Sequence, residues 1–259
     1  MIQDIQPHKY YVGFEKCTPT NEDILLIFKG NTLLVREGDG RTWFPAVGEL
    51  EVQGEPEFLF RMDDTNLFMV EAEENTGFEG WRFEGAEYFR TVFPKWKAFA
   101  GATALQFHRW YRENKFCSRC GGKMERGASE RSLVCSSCGK TVYPNISPCV
   151  IVALTDGDKL LLTRYSSKHS TYKRYALVAG YTEVGETFED TVRREVMEEV
   201  GLKAVNITYY KNQPWSFSDT ILTGFFAEVE GSREIIRDEE ELAEAVWLKR
   251  EDIPEITSK

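Results

Sequence analysis

Two identical cysteine pairs constrain the fold of this chain more than any other feature of its sequence. Cys117-x-x-Cys120 and Cys135-x-x-Cys138 are separated by fourteen residues, and a glycine follows each pair. Pairs with this spacing form two knuckles that together hold one Zn²⁺ through four thiolates in a tetrahedron. Because four protein ligands leave no open coordination position, the sequence predicts a structural zinc site that takes no part in chemistry.

Length and charge limit the number of domains around this cysteine module and the kinds of partner that the chain can bind. The chain has 259 residues and a mass of 29.8 kDa, which is room for two domains or for one domain with an appended module. It carries 42 acidic and 32 basic residues, a net charge of −10. Such a balance disfavours bulk binding to nucleic acid or to an anionic membrane.

The chain is predicted to be cytoplasmic. Its first residues, MIQDIQPHKYYVGFEK, contain no apolar signal segment, and nowhere do eighteen apolar residues follow one another. Neither a signal peptide nor a membrane span is therefore expected. Six cysteines in a chain of this length do not suggest a secreted disulfide scaffold. The two cysteines outside the pairs, Cys17 and Cys149, are expected to be buried or inert thiols.

The segment around the paired cysteines is locally basic, and two interpretations of that charge remain open. Zinc ribbons often touch nucleic acid, so the basic side chains could form an RNA contact. The alternative, which we favour, is a solvated surface that offsets an otherwise acidic chain. The basic residues concerned are Lys115, Arg119, Lys123, Arg126, Arg131 and Lys140, and they are accompanied by Glu125 and Glu130.

Upstream of the cysteines, apolar runs broken by turn signals fill the segment from residue 23 to about residue 70. The runs are DILLIFKGNTLLV, TWFPAVGELEV and EFLFRMDDTNLFMVEAE, with turns at Gly30-Asn31 and Asp63-Asp64. This pattern predicts short antiparallel strands.

A helix is predicted to follow from about Phe99 to Asn114. Its apolar stripe is incomplete, because Arg109 stands where a further buried residue would be expected. The positions that do keep helical spacing are Ala98, Ala102, Leu105 and Trp110.

After the cysteine module, strand signals surround one well-bounded helix. CVIVALTDGDKLLLTR predicts a hairpin, and YALVAGY, NITYYKNQPW, TILTGFFAEVE and EAVWLKRED predict further strands. Thr187, with Asp190 three residues later, resembles a capping box, and Gly201 is placed as a C-cap. The helix is therefore expected to run from about Phe188 to Val200.

The same helix carries an unusual density of acidic side chains. Seven lie between Gly180 and Leu202, and on a helix Glu195, Glu198 and Glu199 share one face. Their mutual repulsion amounts to only roughly 0.2–0.5 kcal/mol per pair on a solvated helix. Energy alone therefore does not separate an ordinary charged surface from a cation site.

The spacing of the residues from Gly180 to Leu202 distinguishes a cation site from an ordinary charged surface. It fits the pattern G-x5-E-x7-R-E-U-x-E-E-x-G-U, where U is a bulky aliphatic residue, at every fixed position, and it thereby resembles the Nudix box. Hard cations such as Mg²⁺ or Mn²⁺ prefer oxygen ligands, so clustered carboxylates become compatible once a cation lies between them. The matching residues are Gly180, Glu186, Arg194, Glu195, Val196, Glu198, Glu199, Gly201 and Leu202.

The Nudix resemblance implies a set of site residues. Glu195, Glu198 and Glu199 are implied to be catalytic, with Glu198 as the proton acceptor. The implied ligands of Mg²⁺ or Mn²⁺ are Ala179 (through its carbonyl), Glu195, Glu198, Glu199 and Glu241. Glu240 is the alternative to Glu241 if the alignment slips by one residue. Arg194 is expected to orient a glutamate, and Glu186 to support the loop.

The order of motifs narrows the resemblance further. A zinc ribbon directly before the box, the joining sequence YPNISP and the downstream QPWSF are similar to the NADH pyrophosphatase branch of the Nudix family. That branch carries S-Q-P-W-P-F-P-x-S, whereas this chain has serines in place of two prolines, at Ser216 and Ser218, and also differs at Asn212 and Thr220. The resulting loop should be less rigid. Residues implied to bind substrate are Arg90, Tyr143, Gln213, Pro214, Trp215, Ser216, Phe217, Ser218, Asp219 and Thr220.

The implied fold class is α+β. A β-rich N-terminal domain that ends in a helix (1–112) is expected to precede a zinc ribbon (113–145) and a C-terminal Nudix α/β/α sandwich with a mixed sheet (146–259). Relatives usually continue past Pro254 into a terminal helix with a substrate contact, whereas here the sequence stops at Lys259. The three histidines, His8, His108 and His169, match no catalytic arrangement.

The resemblance implies a homodimeric NAD⁺ diphosphatase. Such an enzyme hydrolyses the diphosphate of NADH or NAD⁺ to a nicotinamide mononucleotide and AMP, with removal of NAD caps from RNA as an associated activity. One alternative is a Nudix diphosphatase for ADP-ribose or another nucleoside diphosphate derivative. A second, of another class, is a zinc-ribbon RNA-binding protein whose Nudix domain senses a nucleotide without turnover.

Overall fold

The computed structural model describes residues 1–166, 168 and 174–253, so His169 lies outside the described residues. The chain divides into two compact units. The N-terminal unit comprises Met1–Ile146 together with Trp215–Asp219, and the C-terminal unit comprises Ser147–Pro214 together with Thr220–Lys259. No helix among the described residues has the length and apolar character needed to cross a membrane.

A seven-stranded sheet forms the main body of the N-terminal unit. Its order is β1-β5-β6-β2-β3-β4, and β7 pairs with β3. The strands are β1 (Tyr10–Tyr11), β2 (Ile24–Lys29), β3 (Thr32–Gly38), β4 (Arg41–Trp43), β5 (Glu57–Met62), β6 (Thr65–Glu71) and β7 (Arg82–Glu84).

The expectation of purely antiparallel strands is wrong for one pair in this sheet. β2 and β3, and likewise β5 and β6, are antiparallel pairs joined at the predicted turns. β2 and β6, however, pair in parallel from Ile24 opposite Leu67 to Phe28 opposite Glu71. Turn signals report only the pairing of consecutive strands, whereas a parallel pair needs a long crossover connection that leaves no local mark.

Helix α1 (Lys95–Glu113) closes this sheet on one side of the core. It begins four residues before the predicted start, directly after Pro94, and ends within one residue of the predicted end. The predicted buried positions are confirmed, since Ala98, Ala102, Leu105 and Trp110 are each at most 6% exposed.

The cysteine module is a small three-stranded sheet of order β10-β9-β8. Its strands are β8 (Met124–Arg126), β9 (Leu133–Cys135) and β10 (Thr141–Val142). Met124 and Leu133 belong to the same apolar cluster as α1 and the seven-stranded sheet. The ribbon therefore shares a core with the N-terminal domain.

The C-terminal unit contains the expected mixed sheet, in the order β14-β15-β11-β12-β16 with β13 paired to β11. β11 and β15 are parallel, whereas β11 is antiparallel to β12 and β13, and β12 to β16. The elements are β11 (Ser147–Asp156), β12 (Lys159–Tyr165), β13 (Val178–Tyr181), α2 (Phe188–Val200), β14 (Lys203–Trp215), β15 (Thr220–Glu230) and β16 (Leu242–Lys249). α2 is the one α-helix among the described residues of this unit.

Candidate active site

Helix α2 is held at both ends by the local signals predicted from its sequence. The Thr187 hydroxyl accepts a hydrogen bond from the Asp190 N–H at 3.2 Å, and the Asp190 carboxylate accepts one from the Thr187 N–H. Gly201 ends the helix in the left-handed region at φ 68°, where a side chain would be strained. Val192 and Val196 are fully buried, which fixes the rotation of the helix and the directions of its glutamates.

Arg194 organises the carboxylates of this helix and of the loop before it. Its Nε and Nη2 donate to the two oxygens of Glu186 at 2.6 and 2.9 Å, in a bidentate pair. Its Nη1 donates to Glu195 at 2.7 Å and to Glu198 at 2.9 Å, and its Nη2 also reaches the Tyr181 carbonyl. Planar guanidinium groups suit such multiple, oriented contacts.

Glu186, in the loop that precedes α2, has all its hydrogen-bonding partners nearby. Besides Arg194, it accepts hydrogen bonds from the Glu183 N–H at 3.0 Å and the Thr191 hydroxyl at 2.9 Å. The Arg194 guanidinium and these donors lower the pKa of Glu186 to about 2. A carboxylate with this many fixed donors has little capacity left for another partner.

Glu195 lies against the backbone of the neighbouring strand. A Cβ on Gly180 would overlap the carboxyl carbon of Glu195, so only glycine allows this approach. Gly180 itself lies within β13. Burial raises the pKa of Glu195, although Arg194 opposes that effect.

Glu199 is the most enclosed carboxylate of the set. It is 2% exposed, and its Oε2 atom has no hydrogen-bond partner. Burial raises its pKa to about 8, and the charges of Glu195 and Glu241 add to the effect, while the N–H of Ala179 stabilises the carboxylate. A buried, unpaired carboxylate oxygen is energetically unfavourable unless a cation or a proton satisfies it.

Glu241, just before β16, lies close enough to raise the pKa of both Glu195 and Glu199. The neighbouring Glu240 is exposed, and its N–H instead bonds to Asp238. Glu198 differs from its neighbours, because its side chain is 59% exposed and paired with Arg194. Oxygen ligands on one buried and several accessible carboxylates fit a hard divalent cation.

Two residues that were not predicted to belong to the site border this cluster. Burial is the main cause and the charge of Glu199 the second cause that raise the pKa of the Tyr165 hydroxyl to about 12. Burial, then Glu195, also raises the pKa of Cys149 to about 12, which makes this thiol inert as expected. Cys17 is exposed and not buried, but partial desolvation, followed by the charges of Glu15 and Asp23, raises its pKa as well.

The four paired cysteines form a metal-binding cluster. The sulfur atoms of Cys117, Cys120, Cys135 and Cys138 lie within 4.8 Å of one another. The knuckles fold back through hydrogen bonds from Gly121 N–H to the Cys117 carbonyl and from Gly139 N–H to the Cys135 carbonyl. Four thiolates in this arrangement match a structural zinc site.

Most of the QPWSF segment forms a loop of the N-terminal unit. Gln213, Pro214 and Trp215 are the last residues of β14, and Trp215–Asp219 belongs to the N-terminal unit. The rings of Trp215 and Phe217 meet edge to face at 4.8 Å between centroids. The Arg90 guanidinium lies over both rings, at 4.9 and 4.5 Å from their centroids.

The remaining predicted substrate residues are more dispersed. Tyr143 is 56% exposed, and its hydroxyl donates to Glu130 at 2.9 Å. Ser216 and Thr220 are buried, and Ser218 is exposed. Asp219 is paired with Arg109 of α1, a residue that was not predicted to belong to any site. The sequence signal for Arg109 was that it interrupts the apolar stripe of the predicted helix.

Comparison with known protein families matches nearly the whole chain. Residues 22–110 match the NADH pyrophosphatase-like rudimentary NUDIX domain, residues 112–143 the NADH pyrophosphatase zinc ribbon domain, and residues 146–259 the NUDIX domain.

Curated relatives that match this chain share one name. The protein called NAD-capped RNA hydrolase NudC of Salmonella heidelberg is 42% identical over 150 residues, which are 58% of this chain and 57% of the relative. Its counterpart of the same name in Escherichia coli is 41% identical over the same shares. The matched region of this chain therefore covers little more than half the length of each of these relatives.

Among solved structures, a NUDIX hydrolase from Nitrosomonas europaea matches with a TM-score of 0.44 and 22% identity, over 54% of this chain and 80% of that one.

The family matches decide the classification. With a rudimentary NUDIX domain, a zinc ribbon and a NUDIX domain matched in that order, the chain belongs to the NADH pyrophosphatase branch of the Nudix family.

Proposed function

We propose that this protein is a divalent-cation-dependent NAD⁺ diphosphatase that hydrolyses NADH or NAD⁺ to a nicotinamide mononucleotide and AMP. The observation that carries the proposal is the buried Glu199, with an unpaired oxygen, beside Glu195 and Glu241. The names of the curated relatives support the 5′ end of NAD-capped RNA as a further substrate.

Glu195, Glu198, Glu199 and Glu241, with the Ala179 carbonyl, would hold Mg²⁺ or Mn²⁺ in this proposal. The unpaired buried oxygen of Glu199 fits such an ion. When bound, the cation neutralises the diphosphate and lowers the pKa of an attacking water.

The protein's own side chains would position the reactants. Arg194 holds Glu195 and Glu198 in fixed directions, and the exposed Glu198 would accept the proton that water loses on attack at phosphorus. Trp215 and Phe217, with the Arg90 guanidinium over their rings, supply aromatic groups of the kind that stack on a base or nicotinamide ring. Gln213 and Tyr143 would supply hydrogen bonds.

Further aspects of the proposal concern the whole protein. We propose a cytoplasmic homodimer, with domains at 1–112, 113–145 and 146–259. Light scattering of the purified protein would determine the oligomeric state.

Product analysis tests the proposed activity directly. Purified protein is incubated with Mg²⁺ or Mn²⁺ and, in separate reactions, with NADH, NAD⁺, ADP-ribose or NAD-capped RNA, and the products are resolved by chromatography. We expect reduced nicotinamide mononucleotide and AMP, with NADH preferred. A preference for ADP-ribose would support the alternative diphosphatase, which is retained because the residues around Trp215 and Phe217 differ from the branch signature. Absence of any turnover would contradict the proposal.

The cation should stabilise the protein more at high pH than at low pH. The folded-state pKa of Glu199, about 8, lies above its ordinary value of 4.5. The stability that protonation provides is therefore fully present below about pH 4.5 and is lost as pH rises towards 8. Because the cation replaces that proton, we expect the Mg²⁺-induced rise in Tm to increase over this range. Calorimetry at several pH values checks this, and a pH-independent rise would contradict the assignment.

A further inference from the structure

The Trp215–Asp219 loop is bound to the N-terminal unit at three points. Both strands that flank the loop, β14 and β15, belong largely to the C-terminal unit, yet the loop itself belongs to the N-terminal one. Phe217 packs against the apolar cluster of the N-terminal sheet and α1. The Arg90 guanidinium covers the Trp215 and Phe217 rings.

Arg109 makes the third and most specific attachment. Its Nη2 donates to the Ser216 carbonyl at 2.7 Å and to one carboxylate oxygen of Asp219, and its Nε lies 3.4 Å from the other oxygen. A single guanidinium thus bonds to both the backbone and a side chain of the loop. Such bonds restrict the loop in position and in orientation.

The attachment is largely shielded from water. The side chains of Arg109 and Asp219 are 18% and 31% exposed, and Ser216 is buried at 5%. Removal of one partner from an enclosed ion pair leaves the other charge uncompensated. The contact should therefore contribute more to loop order than an exposed surface pair would.

The chemistry of the loop explains why this chain would need such an attachment. Ser216 and Ser218 occupy positions where the branch signature has proline, and loss of proline increases the freedom of the unbound loop. Arg109 bonds directly to the carbonyl of Ser216. It therefore restrains the backbone at one of the two substituted positions.

We propose that Arg109 is a positioning residue that fixes the Trp215–Asp219 loop against α1, so that the order of this loop determines how tightly the dinucleotide is held. The effect on affinity rests on the proposed function, whereas the restraint of the loop does not. Arg109 acts through the loop and does not itself contact the reacting phosphates in this scheme.

The first measurement is amide hydrogen exchange of wild type and R109Q without substrate. We expect faster exchange in peptides that contain Trp215–Asp219 and unchanged exchange in helix α2. R112Q is the matched control, because Arg112 is on the same helix but its guanidinium lies near Gly30. Equal exchange of the loop in R109Q and wild type would overturn the proposal.

The second measurement is steady-state kinetics with NADH. Loss of a charged hydrogen bond that acts on ground state and transition state alike should raise KM about tenfold or more and leave kcat nearly unchanged. R109K should lie between wild type and R109Q, and the effects of R109Q and D219N should not add. An unchanged KM in R109Q would overturn the inference.

Failure of the proposed function would be recognised separately. If the wild type does not turn over NADH, the activity assignment falls. The affinity effect would then fall with it, and hydrogen exchange would alone decide whether Arg109 restrains the loop.

Discussion

Glu199→Gln is expected to reduce turnover at least about 100-fold while the protein stays folded. Changes that only disturb the residues supporting a metal ligand already reduce activity or metal affinity by about 10–100-fold. Glu199 is proposed as a ligand itself, so its loss should have at least that effect. The amide is nearly isosteric with the carboxyl group and keeps the side chain in its buried position.

The stability of this variant distinguishes a ligand from a structural carboxylate. Burial raises the pKa of Glu199 to about 8, which means that the ionised group destabilises the cation-free protein. A neutral glutamine removes that unfavourable charge, so the Tm without cation should equal or exceed the wild-type value near pH 8. The Mg²⁺-induced rise in Tm should at the same time become smaller.

Glu189→Gln is the matched control for this experiment. Glu189 is on the same helix but is exposed in its first turn, so its change should leave turnover and the cation response intact. Full activity of Glu199→Gln, measured with the same product assay, would remove Glu199 from the cation site. A large fall in its cation-free Tm would instead indicate that the carboxylate stabilises the fold.

Local sequence signals predicted the helix of the Nudix box to the residue. The capping box of Thr187 and Asp190 and the glycine at position 201 act within a few residues, and α2 accordingly runs from Phe188 to Val200 as expected. The helical period likewise placed Glu195, Glu198 and Glu199 on neighbouring positions. It could not show that Glu199 is buried while Glu198 is exposed, because burial depends on the strands that pack against the helix.

Structural features that depend on contacts between distant residues could be predicted from the sequence only in part. The parallel pairing of β2 and β6 leaves no trace in turn residues, and the N-terminal segment lacks a Nudix box, so its rudimentary NUDIX character could not be predicted from motifs. Arg109 did leave a trace, because it interrupted an apolar stripe on α1. Only the structure identifies Asp219, 110 residues away, as its partner.

Cys135→Ser is expected to abolish stoichiometric zinc binding and to destabilise the N-terminal unit. A serine hydroxyl does not replace a thiolate as a zinc ligand, and structural zinc contributes folding free energy directly. Cys117 and Cys135 belong to the apolar cluster that continues into the seven-stranded sheet and α1. We therefore expect Tm to fall by about 10 °C or more, and not merely the ribbon to loosen.

Metal analysis combined with calorimetry checks this expectation. Cys17→Ser is the control, because Cys17 is exposed and outside the cluster, and it should retain both zinc and Tm. A chelator should lower the Tm of the wild type but not that of Cys135→Ser, which has no zinc to lose. Full zinc content in Cys135→Ser would contradict the four-cysteine assignment.

Turnover of the same variant decides whether zinc is structural or catalytic. A site closed by four thiolates has no position for water or substrate, so the fraction of Cys135→Ser that remains folded at low temperature should keep a kcat near the wild-type value. The comparison requires Mg²⁺ or Mn²⁺ in excess and a count of folded molecules by calorimetry. If kcat per folded molecule fell as far as in Glu199→Gln, zinc would have to take part in the reaction, and the division between a structural ribbon and a carboxylate active site would be wrong.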